Sequence, residues 1–211
     1  MKRRVKRLMR ISLFVVLTVS FCIGLLAENI PQEVLRAAQN GMNDLPWGLS
    51  SKTTLDNPTV NHGFQVYTAS PLQLLRSTGL SSVLTPTGLW RFVVVKEGQP
   101  VSLVTVAAIE GQWKAVSIGG AQLALEVNKV MERWPEKQGY SHRFIRIYQA
   151  RADFIEISSN GRSIGFVPLT ASRMAFGMSG QFDPAALLHG PEIMPRLQKA
   201  AVETINNLEE K

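Results

Sequence analysis

WRFVVVKEGQPVSLVTVAAIEGQWKAVSI, residues 90–118, decides the fold class. Three β-rich runs, Trp90 to Val95, Pro100 to Ile109 and Gln112 to Ile118, are separated by Lys96-Glu97-Gly98-Gln99 and by Glu110-Gly111. Connections this short join neighbouring antiparallel strands. Side chains alternate along a strand, so Trp90, Phe92 and Val94 share one face of the first run, and Val101 and Leu103 share one face of the second. Val104 and Val106 make the second run apolar on both faces, which predicts a central position.

A second set of strands follows the same logic: His142 to Tyr148, Asp153 to Ser158 and Ser163 to Val167. Asn160-Gly161 joins the last two, and both residue types tolerate the positive φ that a two-residue hairpin turn demands. Between the two sets the period changes. After Gly119-Gly120, the residues Leu123, Val127, Val130, Met131 and Trp134 recur at helical spacing until Pro135.

The flanks add helices. Asn29 to Met42 reads as a first helix, with Pro31 in its first turn and Ile30, Val34, Ala38 and Met42 in register. Residues 44–62 are polar and turn-rich, and Trp47 is expected to anchor them onto the domain. Gly63 to Thr68 reads as a short strand. Ser70-Pro71-Leu72-Gln73 carries the elements of a capping box, and Gly79 is expected to end the short helix after it. Met174, Phe176 and Met178 alternate, which suggests an edge strand; the same residues suit an adaptable binding lip, because methionine repacks readily. Asp183-Pro184 opens a turn. A last helix, about 192–208, places Met194, Leu197, Ala201, Ile205 and Leu208 on one side.

These elements predict an α+β domain: an antiparallel sheet built from two three-stranded meanders (about 90–118 and 142–167), with helices packed on one face. Residues 28–211 suit one ordinary domain, which buries roughly 70% of its unfolded surface. Residues 28–62 form its N-terminal helix and long lead-in loop.

Residues 1–27 have the layout of an export segment. The first ten hold six Lys or Arg and no acid, and an apolar run from Ile11 to Ala27 follows. A basic end stays cytoplasmic while the apolar stretch enters the bilayer. Ala27 suits a cleavage position; left uncut, residues 11–27 would serve as a membrane anchor. Cys22, the only cysteine, follows Phe21 rather than a small residue, so lipidation is not expected. Cleavage after Ala27 would leave a domain without thiols, which excludes disulfides, cysteine nucleophiles and thiolate metal sites. Six of the 23 Lys and Arg lie in the leader, leaving 17 against 16 Asp and Glu. The basic balance therefore reports the export signal and gives no case for nucleic acid as a partner.

No local motif supplies a catalytic, cofactor-binding or metal-binding residue: GxSxG, HExxH, GxGxxG and GxxxxGK[ST] are all missing. Gly177-Met178-Ser179-Gly180 lacks the second glycine of a nucleophile elbow. His62, His142 and His189 are just enough for a histidine metal site or proton shuttle, but only if folding brings them together. Asp153 and Glu156 point to opposite faces of a strand and cannot share a substrate. The basic stretch 137–151 carries Lys137, Arg143, Arg146 and Arg151, yet Arg143 and Arg146 also diverge. Gly119-Gly120 reads as a strand-to-helix turn. The expectation is a non-catalytic exported binding or interaction module whose partner is a protein or another envelope component. The alternative is an extracytoplasmic hydrolase assembled from dispersed residues.

Overall fold

A computed structural model describes residues 30–44 and 58–209. The segment expected to direct export (residues 1–27), Cys22, the expected cleavage position and Trp47 lie outside the described residues. Helix α1 (Gln32–Asp44) is followed by strand β1 (Thr59–Thr68) and helix α2 (Pro71–Arg76). Strands β2 (Thr85–Lys96), β3 (Gln99–Ile109) and β4 (Gln112–Gly119) come next, then helix α3 (Ala121–Arg133). Strands β5 (Tyr140–Ile147), β6 (Ala152–Ser159) and β7 (Arg162–Pro168) precede α4 (Thr170–Ala175) and α5 (Gly190–Glu209).

The turns follow from local chemistry. Glu97-Gly98, Glu110-Gly111 and Asn160-Gly161 all hold positive φ at both positions, so each closes its hairpin with a twist that suits the strands. The Ser70 capping box is formed: the Ser70 hydroxyl accepts from Gln73 N at 3.3 Å, and Gln73 Oε1 accepts from Ser70 N at 2.8 Å. α2 ends at Ser77, two residues before the expected Gly79.

All seven strands form one sheet of mixed but mostly antiparallel pairing, in the order β4-β3-β2-β1-β5-β6-β7. Two expectations are corrected here. The sheet is not a pair of three-stranded meanders, because β1 lies between β2 and β5, antiparallel to one and parallel to the other. The helices are not confined to one face. Val93 and Leu103 point to α3, together with Phe64, Val66, Phe144 and Ile155. Their neighbours Phe92, Val94, Val104 and Val106 point the opposite way, onto Val34 and Ala38 of α1. Farther along that second face, Ile145, Ile147 and Phe154 meet Ile193, Leu197 and Ala201 of α5. A sheet apolar on both faces needs cover on both, and each large side chain buried this way contributes on the order of 1.5–3 kcal/mol.

α1 approaches β4 closely at Gly41, where an added Cβ would stand 2.0 Å from Ala115 Cβ. A third correction concerns the edge strand expected at Met174, Phe176 and Met178: Met174 lies in helix α4, which spans 170–175, and Phe176 caps its end. Glu126 of α3, buried to 1% exposure, accepts hydrogen bonds from both the backbone N–H and the hydroxyl of Thr170. Its carboxylate thus satisfies the first turn of α4 from 44 residues away and overrides the local alternation. Among the described residues no helix is long and apolar enough to cross a membrane.

Candidate functional site

The chain reverses between β5 and β6 at Tyr148–Arg151, where Arg151 N donates to Tyr148 O at 3.2 Å and Arg151 itself takes a positive φ. Gln149 Nε2 donates to Ala69 O at 3.2 Å and fixes this turn against the end of β1. α4 is held beside it by the Thr170 clamp and by the Ser172 hydroxyl, which donates to Asp153 O at 2.5 Å. α5 uses Ile193, Leu197 and Ala201 to pack on the sheet. The adjoining stripe of the helix, Arg196, Lys199, Ala200 and Glu203 at spacings of three and four, faces α4.

These three segments enclose a groove of about 710 Å³. Alanines 150, 171, 175 and 200 make its walls thin, so an occupant can come near the backbone. Phe176 is fixed at one end: its ring lies 5.7 Å from that of Phe154, and the Arg196 guanidinium stacks on it at 5.1 Å. Arg196 Nη1 also donates to Phe176 O, tying α5 to the end of α4. Met174 stands 77% exposed on the rim. Three cations, Arg151, Arg196 and Lys199, surround the groove against one carboxylate, Glu203. None of the three has an ion-pair partner among the described residues. Gln149 contributes an unsatisfied acceptor, since its Oε1 is buried with no hydrogen-bond partner among the described residues.

The histidines divide two to one. His62 on β1 and His142 on β5 come within electrostatic range of each other and of Glu136. His142 Nε2 lies 2.7 Å from Trp134 O. A carbonyl only accepts, so Nε2 carries the proton, and Nδ1 is left 3.9 Å from Glu136 Oε1. Burial lowers the pKa of both histidines, with Glu136 opposing the shift. His189 is not brought to them; it stands at the start of α5, where its N–H donates to Glu192 Oε2 at 2.7 Å. Among the described residues no three His, Cys, Asp or Glu side chains assemble as metal ligands.

Two pairs of charged groups face each other across β5 and β6. Glu156, fully buried, accepts from Arg143 Nε at 2.6 Å and from the Ser81 hydroxyl at 2.5 Å, and the Arg143 Nη2 atom lies 2.5 Å from it as an ion pair. On the other face Arg146 approaches Asp153 at 3.7 Å. Burial raises the Asp153 pKa, and Arg146 and Arg91 oppose that shift. The basic stretch is therefore split, as the odd spacing of Arg143 and Arg146 requires. Of its four cations only Arg151 reaches the groove. The Gly177–Gly180 loop is held as a turn by Arg173, whose Nη2 donates to Gly180 O at 2.7 Å.

Of the Met174, Phe176 and Met178 stretch, Met174 and Phe176 line the groove and Met178 does not; Arg196, Lys199 and Gln149, which no sequence motif singles out, line it with them. Nothing in the chain signals their convergence except the polar stripe beside the apolar face of α5. No protein-family model, no curated protein and no solved structure matches this chain.

Proposed function

We propose that residues 28–211 act, after export, as a non-catalytic binding module of the cell envelope, and that the groove between α4, α5 and the β5–β6 turn is the working surface. The observation that carries this reading is the groove itself: a concave, alanine-walled surface with an exposed methionine and unpaired cations on its rim. Binding sites combine an apolar lining with a few placed polar groups in this way. Methionine adds a side chain that adapts to its partner.

The test is a photocrosslinker placed at Met174 in the full chain, with Lys114 on β4 as a control position. A discrete adduct at 174, lost when Ala175→Trp fills the groove, is the expected result. Equal labelling at the two positions, or none at 174, would overturn the assignment.

A second reading, an extracytoplasmic hydrolase, draws on the approach of His62, His142 and Glu136. His142 has already committed Nε2 to a backbone carbonyl, which leaves one nitrogen for proton transfer. Turnover on a panel of ester, amide and phosphoester substrates, abolished by His142→Gln, would favour it.

A further inference from the structure

We infer that the groove receives an acidic peptide segment of a partner protein, one that carries an apolar anchor side chain. This rests on the groove reading above and names the occupant. Charge is the first reason. Beyond the leader the chain is nearly neutral, with 17 Lys and Arg against 16 Asp and Glu. The groove nonetheless gathers Arg151, Arg196 and Lys199 against Glu203 alone. Cations without an ion-pair partner at a rim raise the encounter rate of an acidic ligand and discriminate against a basic one.

Shape selects the source of that negative charge. A bilayer surface is flat and does not fill a concave volume of about 710 Å³. A side chain does, and Met174 with Phe176 supplies the apolar contacts for it.

The exported protein, as isolated from producing cells, is titrated against fluorescein-labelled ten-residue peptides and read by anisotropy. One peptide is Glu- and Asp-rich with a central Leu; the second replaces that Leu with Gly; the third is Lys-rich with the Leu. Phosphatidylglycerol vesicles form a fourth arm. The expected result is saturable binding of the first peptide, weakened on the order of tenfold by Arg151→Glu with Lys199→Glu and again by raised salt. Loss of affinity with the Gly peptide completes the pattern. The inference is overturned if the Lys-rich peptide binds as well, if vesicles bind and the acidic peptide does not, or if charge reversal changes nothing. A Met174 crosslink that persists while no acidic peptide binds removes this partner class and leaves the groove standing. Failure of both removes the groove as well.

Discussion

Arg143→Met tests whether the β5–β6 pairing is built as described. Glu156 is fully buried; its carboxylate accepts one hydrogen bond from Arg143 Nε and one from the Ser81 hydroxyl, and Arg143 Nη2 forms an ion pair with it at 2.5 Å. Removing the guanidinium leaves a buried carboxylate with one neutral donor. Breaking a buried pair from one side costs about 3–5 kcal/mol, because the remaining charge has lost both its water and its counter-ion. That is a large share of the 5–15 kcal/mol by which a typical domain is stable. For a domain of this length it corresponds to a fall in Tm of roughly 10 °C. Urea unfolding of the purified protein, followed by tryptophan fluorescence, reads the change directly. The double variant Arg143→Met with Glu156→Leu should recover most of the loss, since replacing both partners with apolar groups is often neutral. A single variant within about 1 kcal/mol of the parent would refute the burial of Glu156.

Two further outcomes follow from the packing of the buried groups. His62 and His142 are pushed below the ordinary value of 6.5 by burial, so near and below that pH the unfolded chain binds more protons than the folded one. Their stabilising contribution is complete above pH 6.5 and declines as pH falls below it, by at most about 1.4 kcal/mol per pH unit for each histidine. Asp153, whose pKa is raised by burial, works in the opposite sense above its ordinary value of 3.8, so the histidine contribution is read as the difference between parent and His142→Gln melting curves from pH 7.5 to 5.5. A Tm unchanged across that interval, or a slope that His142→Gln does not reduce, contradicts the assignment. Gly41→Val should destabilise by about 1–3 kcal/mol, because its Cβ would collide with Ala115 and push α1 off β4. An unchanged or higher midpoint in urea would show that α1 does not sit so close.

The strands and their hairpins were legible because the signals are local. Alternation at Trp90, Phe92 and Val94 identifies one face of β2, and Gly98, Gly111 and Gly161 mark turns whose positive φ disfavours most other residues. Ser70 and Gln73 announce a helix start within four residues. Alternation reports that a strand has two faces, but not what covers each. That is why α3 on one face and α1 with α5 on the other were not anticipated.

What the amino-acid order determined by itself is the set of elements whose hydrogen bonds close over a few residues, and the apolar stripes each must bury. Tertiary structure alone decided where those stripes meet. β1 entered between β2 and β5, and residues 170–175 became a helix because Glu126 reached them. Arg151, Arg196 and Lys199 came to share a rim although two helices and a turn had to pack first. Contacts between residues tens of positions apart depend on the burial of every intervening surface, so no short window of sequence contains them.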